Sequence, residues 1–396
     1  MKVTGAAYAP ARGAGGWAME FDWTEDDVAY RNDIKAFLGE QLPAGWNGYD
    51  KSDLTKYKTD SIAFAKAMAA RGWLTQNWPQ EYGGQEASPW RAAILSEELW
   101  PIGEPRGPQY MNVNWIGPAI MAAGSEEQKL YHLRRISAGD VCWCQGFSEP
   151  DAGSDLPAMR TRAVRDGDDY IVNGSKIWTS HVGTADFCFL LVKTDPTAAK
   201  RAGISILLMP MDTPGLEVRH IDGFVGEQAF HQLVFEDVRV PAAYRLGEEN
   251  RGWDIVRRAL SFERVGAAHY ETGQLILGRT IAEAQRNGMF EDPEIQTRIG
   301  EVYAALEAAR MLTYRVVDLR AHGSPPTADS NLSRVAQTSA LRLAGELAHV
   351  VFGEEGLEAG SGGDVRRVLS FSVASGTTEM QLDQIASNFL ALPTKV

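Results

Sequence analysis

The spacing of apolar residues changes twice along this chain, and these two changes constrain its fold more than any other feature. Before about residue 140, apolar residues recur at the 3.6-residue spacing of helices. From Val141 they alternate every second residue, as in strands, and near Gly252 the helical spacing returns and continues to the end. The sequence therefore predicts an α+β multidomain protein with helices first, strands in the middle and helices last.

Capping residues and helix breakers place the outer helices. Thr24 is followed by three acidic residues, which is typical of a helix start, and Pro43 and Gly45 end that first helix. The last part of the chain is expected to form a helical bundle. The same signals predict further helices over 53–72, 89–100, 116–123 and 125–136, and in the last part over 253–287, 292–321, 328–352 and 377–390.

The middle part has the pattern of a small barrel or sandwich. Asp166-Gly167 and Asn173-Gly174 are dipeptides typical of tight hairpin turns. Short strands without helical spacing between them are predicted at 142–148, 159–165, 169–172, 186–193, 204–210, 216–220 and 231–237. The expected domains are a disordered arm over 1–18, an N-terminal α-helical domain over 19–140, a central β-barrel over 141–250 and a C-terminal four-helix bundle over 251–396.

The charge and cysteine content exclude several classes of partner. The net charge is −13 and the pI is about 5.1, which argues against nucleic acid or an anionic membrane surface. No apolar run approaches the roughly 18 residues that a membrane span needs. Cys142, Cys144 and Cys188 include no C-x-x-C pair and are interpreted as packing residues rather than redox centres. We expect a cytoplasmic protein. For residues 1–18, an upstream start or an appended segment is a better explanation than a transit peptide.

Several common catalytic motifs are absent from the sequence. The seven His residues are scattered and form no H-x-x-x-H pair, so no metal site is expected. The sequence contains no G-x-S-x-G elbow, no Walker loop and no G-x-G-x-x-G after a strand. Hydrolase, nucleoside-triphosphatase and Rossmann-type functions therefore lose their main support.

Two features could carry chemistry. The loop over 148–155 combines two hydroxyls and three carboxylates with almost no apolar side chain, so it is either a binding loop or an ordinary polar connection. Glu263 falls on a helical stripe with Val256, Leu260 and Ala267. A carboxylate against apolar surface has a raised pKa and becomes a better base near neutral pH. Alternatively, Glu263 pairs with an arginine from another helix.

The order of the motifs resembles that of the acyl-CoA dehydrogenase family, over essentially everything after Met19. The stretch 146–155 followed by 170–180 looks like the family's flavin-contact signature, and Asp237-Val238-Arg239-Val240-Pro241 looks like its exit from the β domain. Gly376-Thr377-Thr378-Glu379-Met380-Gln381 is similar to its C-terminal G-T-x-E-I-Q signature. One such motif is weak, but their order across some 240 residues makes the resemblance specific.

The resemblance implies a fold, a cofactor and a reaction. It implies FAD between the β domain and the bundle, an acyl-CoA thioester as substrate, and the trans-2-enoyl-CoA as product. It further implies electron-transferring flavoprotein or a similar acceptor, and a homo- or hetero-oligomer (dimer or tetramer). By position, Ser154 and Arg264 are expected to meet the CoA substrate. The positions implied for FAD are Gln145, Phe147, Ser148, Trp178, Ser180, Arg286, Thr377 and Glu379.

The catalytic base of this family occupies one of two positions. The commoner one precedes the C-terminal Gly-Thr, where this chain has Ser375, which cannot act as a strong base. The other falls in a Phe-Glu-Arg context on the first long helix of the C-terminal domain, where this chain has Glu263. The resemblance and the helical stripe thus indicate the same residue.

Some positions depart from the family pattern. Val350 stands where many members have Gln, Glu354 replaces a Gly, and Met289 replaces an aromatic residue. These changes affect the expected adenine and pyrophosphate contacts, and they are similar to those of a bacterial subgroup, related to steroid side-chain dehydrogenases, in which unlike subunits pair. Two other functions stay open: a flavin oxidase or monooxygenase on a non-CoA substrate, and a partner subunit of a heteromeric dehydrogenase.

Overall fold

The computed structural model describes residues 23–46, 48–223, 226–263, 268–324, 328–357, 368, 371–374 and 376–393. The side chains of 226–229 and 260–263 are outside that description. The expected arm over 1–18 and the predicted residues Arg264 and Ser375 also lie outside the described residues.

The first part of the chain is helical, as its capping residues predict. Thr24 forms a capping box with Asp27: the Thr24 hydroxyl accepts from the Asp27 backbone N–H, and the Asp27 carboxylate accepts from that of Thr24. The turn between the fourth and fifth helices is a π turn at Asn112–Ile116. The helices are α1 (Glu25–Gln41), α2 (Leu54–Ala70), α3 (Pro89–Leu99), α4 (Gln109–Met111), α5 (Gly117–Ala123) and α6 (Glu126–Ser137).

The middle part forms one eight-stranded sheet, in the order β6-β7-β3-β2-β4-β5-β8, with β1 paired in parallel to β4. Asp166-Gly167 makes the predicted turn, because Gly167 has φ of +60° and Asp166 pairs with Asp169 across the hairpin. The strands are β1 (Trp143–Gly146), β2 (Arg162–Asp166), β3 (Asp169–Ser180), β4 (Phe187–Lys193), β5 (Ile204–Pro210), β6 (Leu216–Gly223), β7 (Gly226–Pro241) and β8 (Arg245–Leu246).

The turn predicted at Asn173-Gly174 is wrong, because both residues lie inside β3 at an irregularity in its pairing with β7. Asn173 exchanges two hydrogen bonds of 3.0 Å with Asp237 on β7. Gly174 has φ of +140°, and a Cβ there would lie 2.6 Å from Oγ1 of Thr161. The glycine therefore permits a close strand crossing and a bulge rather than a hairpin turn.

The last part of the chain is helical again. One continuous helix over 253–287 was expected, but Ala268 is not helical (φ −84°, ψ 63°), so a new helix starts at His269. Continuous apolar spacing across the break explains the wrong prediction. The helices are α7 (Gly252–Glu263), α8 (His269–Asn287), α9 (Pro293–Ala321), α10 (Ala328–Phe352) and α11 (Thr378–Asn388).

Helix α7 packs with the first two parts of the molecule. Val256 and Ala259 belong to the apolar core shared by the N-terminal helices and one face of the sheet. The core of the bundle is separate and is built from α8, α9 and α10. Helix α7 also contacts α5, β5 and the π turn at Asn112–Ile116, so it connects the sheet to the N-terminal helices.

Two further expectations concern burial. All three cysteines are buried and free, as the packing interpretation requires. None of the helices in the described part of the chain is both long and apolar enough to cross a bilayer.

Candidate functional site

A buried ion pair anchors the polar loop over 148–155. The ammonium of Lys176 lies 2.8 Å from Oε1 of Glu149 and donates to the carbonyl oxygen of Phe147 at 3.0 Å. The backbone N–H groups of Arg160 and Thr161 donate to the two carboxylate oxygens of Glu149 at 2.6 and 2.9 Å. Burial raises the pKa of Glu149, but Lys176 and these hydrogen bonds outweigh it, so the net shift lowers that pKa. Each member of the pair thus has a countercharge and further hydrogen-bond partners within the fold.

This pair joins the ends of β1 and β3. The backbone N–H of Ile177 donates to the carbonyl oxygen of Ser148 at 2.9 Å. The residue before it, Lys176, donates to the carbonyl oxygen of Phe147. The two strand ends are therefore neighbours in space. They bring together five of the eight predicted flavin residues: Gln145, Phe147, Ser148, Trp178 and Ser180.

The polar and aromatic groups of this cluster are available to a ligand. The ring of Trp178 is 56% exposed, and its backbone has φ of +59°, a conformation that is unusual for a bulky residue. Such strain is common where a side chain is held for binding. Within the described part of the chain, the hydroxyls of Ser148 and Ser180 make no hydrogen bond.

The N-terminus of α11 carries two more predicted flavin residues. The Thr377 hydroxyl accepts from the Met380 backbone N–H at 3.3 Å and so caps the helix. A hydrogen bond from its own backbone N–H and one from Thr377 lower the pKa of Glu379, which is exposed. Buried Gln381 accepts from Asn331 on α10 at 2.6 Å. The signature at 376–381 therefore fixes this helix start beside the beginning of α10.

Arg286 lies far from that helix start. Its guanidinium makes two hydrogen bonds to Glu283, of 2.7 and 2.6 Å, and is 72% exposed. The neighbouring Asn287 donates to the carbonyl oxygen of Val351, about twenty residues after Asn331 on α10. At 1.5 Å per residue this separates the two ends of α10 by about 30 Å. One chain does not bring Arg286 and Thr377 to the same end of a bound cofactor.

The remaining predicted residues are placed less completely. Glu263 is the last residue of α7, on the helix that touches the π turn, but its side chain is not among those described. Ser154 is exposed, and Arg264 lies outside the described residues. A cavity of about 350 Å³ adjoins the polar loop and is lined in part by Arg160 and Arg219. A larger cleft of about 810 Å³ lies beside α6 and is lined by none of the predicted site residues.

Two residues of the site were missed at the sequence level. Lys176 could have been found, because it occupies a position of β3 that alternation with Val172 assigns to the buried side. Trp115 could not, because its indole N–H reaches Gln145 (Nε1 to Oε1, 2.7 Å) only through the π turn, which has no sequence signature.

The cluster fits the flavin ring that the sequence indicated. An uncovered indole ring, two hydroxyls without partners in the described chain and the amide of Gln145 suit a flat heteroaromatic ligand with a polar edge. Within the cluster, Phe147 belongs to the apolar core that the N-terminal helices share with the sheet.

Comparison with protein-family models finds three matches in order along the chain. The N-terminal domain of acyl-CoA dehydrogenases matches residues 24–140, the middle domain matches 144–238, and the C-terminal domain matches 250–390.

Individual relatives agree with these matches. "Acyl-CoA dehydrogenase FadE26" of Mycobacterium tuberculosis is 34% identical over 82% of this chain and 86% of that protein. The crystal structure of the ChsE4-ChsE5 complex from Mycobacterium tuberculosis superposes with a TM-score of 0.84 at 31% identity, covering 95% of this chain and 100% of that one. The structure titled "Tcur3481-Tcur3483 steroid ACAD" has a TM-score of 0.83 at 28% identity, with 95% and 100% coverage.

Proposed function

The chain belongs to the acyl-CoA dehydrogenase family and is an oxidoreductase acting on acyl-CoA; we propose that it converts an acyl-CoA thioester to the trans-2-enoyl-CoA with FAD as cofactor. The observation that carries this proposal is the position of α7. The helix ends in Glu263 and contacts the π turn whose Trp115 holds Gln145 at the cluster of strand ends. The π turn therefore contacts both the helix that carries the proposed base and a side chain proposed to line the flavin.

Glu263 is the proposed catalytic base, and it removes a proton from Cα of the thioester. It is the acid on α7 in the Phe-Glu-Arg context, and Ser375 leaves the family's other base position without a carboxylate. Hydrogen bonds to the thioester carbonyl acidify the Cα proton, and exclusion of water strengthens them. FAD, when bound, supplies the acceptor for the hydride that leaves Cβ.

The residues at the strand ends are proposed to hold the isoalloxazine ring. Trp178 covers the ring, and the hydroxyls of Ser148 and Ser180 meet its polar edge. Thr377 and Glu379 bind the cofactor from the start of α11. Ser154 and Arg264 face the CoA part of the substrate, whose phosphates favour a guanidinium partner.

Arg286 is proposed to serve the cofactor site of a neighbouring subunit, because the length of α10 separates it from Thr377 in its own chain. That neighbour is proposed to be an unlike chain. It is proposed to supply the adenine and pyrophosphate contacts, because Val350 and Glu354 depart from the residues that the family has at these positions. The ChsE4-ChsE5 relative is a complex of two named chains, which supports this pairing. The acceptor is proposed to be electron-transferring flavoprotein or a similar protein.

The acyl group is proposed to be large and to contain rings, because one similar structure is titled a steroid ACAD. Trp100 packs against both the N-terminal core and the bundle core, and its ring contacts Tyr110, His269 and Phe371 with centroid separations of 5.2, 4.9 and 6.5 Å.

Anaerobic titration of the FAD-loaded protein with a panel of acyl-CoA thioesters tests the proposal. Bleaching of the flavin absorbance is expected, strongest with ring-containing acyl chains, and the product is expected to be the 2-enoyl-CoA. Protein that binds FAD but is bleached by no thioester would support the oxidase or monooxygenase alternative. Protein that is colourless alone and with any co-purified subunit would remove the cofactor assignment.

A further inference from the structure

The π turn at Asn112–Ile116 is the most unusual backbone feature near the proposed site. The N–H of Gly117 donates to the carbonyl oxygen of Asn112, five residues back, which is the pattern of a π helix. Single π turns are rare and are often found at functional sites. The turn presents Trp115, which is 4% exposed and packs edge-on against Tyr110 with ring centroids 5.5 Å apart.

The contact between Trp115 and Gln145 has only one chemical assignment. The indole Nε1 lies 2.7 Å from Oε1 of Gln145. An indole N–H only donates, so the amide atom that it meets must be the carbonyl oxygen. The amide nitrogen of Gln145 must then face the other way. Within the described part of the chain that nitrogen makes no hydrogen bond, so its two N–H donors are available to a ligand.

The free amide lies at the strand-end cluster. Gln145 is on the same face of β1 as Trp143, and Phe147 follows it with its carbonyl oxygen held by Lys176. The π turn also contacts α7, which carries Glu263 at its end. A single turn of backbone therefore supports both the helix of the proposed base and the orientation of a side chain proposed to line the flavin.

We infer that Trp115 is a positioning residue. By holding the side-chain oxygen of Gln145, it turns the amide N–H groups toward the bound flavin ring, where one of them donates to a ring carbonyl oxygen. This inference rests on the proposed function. The ring oxygens gain negative charge on reduction, so a donor binds the reduced flavin more strongly than the oxidised one and raises its midpoint potential. An amide turned the other way would place its carbonyl oxygen against the flavin oxygen and lower the midpoint potential. Trp115 therefore determines whether Gln145 raises or lowers that potential.

Three variants of the full chain, in the assembly in which it binds FAD, test the inference. Gln145→Glu keeps the shape but loses the donor, and Trp115→Phe keeps an aromatic ring but loses the N–H. Trp46→Phe is the matched control, because Trp46 likewise donates its indole N–H, to the carbonyl oxygen of Ile102 at 2.8 Å, on another part of the N-terminal domain. The readouts are the Kd for FAD, from fluorescence titration of the apoprotein, and the midpoint potential of the bound flavin.

The expected result is a lower midpoint potential in both Gln145→Glu and Trp115→Phe. FAD affinity should fall about tenfold in Gln145→Glu and about threefold in Trp115→Phe, as for one lost and one loosened hydrogen bond. Adding Trp115→Phe to Gln145→Glu should change nothing more, because the two residues act through one contact. Trp46→Phe should match the wild type in both readouts.

Three results would overturn the inference. If Trp115→Phe left Kd and potential unchanged while Gln145→Glu shifted both, Trp115 would be a packing residue only. If acyl-CoA affinity fell while the potential stayed constant, the amide would serve the thioester instead of the flavin. If wild-type protein bound no FAD, the proposed function would fail first, which the wild-type titration alone reveals. Should Trp115→Phe not fold, Trp115→Met, which also lacks the indole N–H, replaces it and should lower the potential in the same way.

Discussion

Lys176 shows how much a single buried charge can organise. Its side chain is fully buried, and burial lowers the pKa of its ammonium while Glu149 opposes that shift. Its hydrogen bonds reach the polar loop and the carbonyl oxygen of Phe147, and Glu149 in turn holds the start of β2 through Thr161. The geometry of the proposed flavin-facing loop therefore depends on one ion pair.

Replacing Lys176 with methionine should destabilise the protein by about 3–5 kcal/mol, because it leaves the buried carboxylate of Glu149 without its countercharge. Urea unfolding measures the loss. Lys56→Met, which removes an exposed partner of Asp60, is the control and should unfold at the same urea concentration as the wild type. A loss below about 1 kcal/mol in Lys176→Met would contradict this account of the loop.

The same residue shows what the sequence could and could not predict about the site. Alternation along β3 assigns residue 176 to the buried side, so its burial was predictable once the strand was placed. Its partner Glu149 was not, because that contact crosses from a loop to a strand. Trp115 was invisible for a related reason: a π turn has no residue pattern of its own.

At the scale of elements, helix boundaries that depend on capping residues were predicted closely. Thr24 and Pro43 bracket α1 as expected. The wrong predictions fall where one sequence pattern is compatible with two different local structures. Asn173-Gly174 is typical of a turn, but here the glycine accommodates Thr161 in a bulge. The helical spacing from Trp253 onward continues through Ala268, although the backbone of Ala268 is not helical.

Helices α3 and α8 meet at a cluster of acids. Buried Glu97 accepts hydrogen bonds from the hydroxyls of Tyr270 and Tyr314, at 2.7 and 2.6 Å. It also forms an ion pair with Arg31. Burial, and then the negative charge of Glu97, raise the pKa of Glu271 to about 7. This interface therefore contains a carboxyl group whose ionisation is disfavoured.

Glu271→Gln should make the protein more stable at pH 8, by on the order of 1–2 kcal/mol, and leave it unchanged below pH 4.5. The pKa of Glu271 is higher in the folded state than in the unfolded state, so the unfolded state releases its proton first as the pH rises. Wild-type stability should therefore fall between pH 4.5 and about 7. Arg31, Arg310 and Glu98 face the same carboxyl and are unchanged in the variant.

Free energies of unfolding, measured in guanidinium chloride across pH 4.5–8, check this prediction. Glu301→Gln, on the exposed side of α9, is the control and should keep the wild-type pH dependence. Equal slopes for wild type and Glu271→Gln would show that the acid cluster does not control stability in this range.

At the scale of the molecule, the order of helical, β and helical parts followed from the spacing of apolar residues alone. Assembly did not follow from it, because no pattern marks which exposed apolar residues another chain will cover. The structure shows exposed apolar residues on α11 and on the segment after it. Leu382, Phe389 and Leu392 are 49%, 61% and 53% exposed. Such a patch at the end of a helix is typical of an interface.

If this patch is the interface, replacing Phe389 and Leu392 together with serine should dissociate the assembly toward the 43.4 kDa chain, because the interface loses two of its apolar side chains. Light scattering after gel filtration measures the mass. Val164→Ser, at a residue 57% exposed on β2, is the control and should assemble as the wild type does. An unchanged mass in the double variant would place the interface elsewhere.

Glu263, at the end of α7, is proposed to remove the Cα proton of an acyl-CoA thioester. The most direct test is the single-turnover rate of flavin bleaching by a substrate acyl-CoA, in protein loaded with FAD. Glu263→Gln should slow that rate by about 10²–10⁴-fold while FAD stays bound. Asp254→Asn, an exposed acid on the same helix, should keep the wild-type rate. Bleaching by Glu263→Gln at a rate close to that of the wild type would contradict the account.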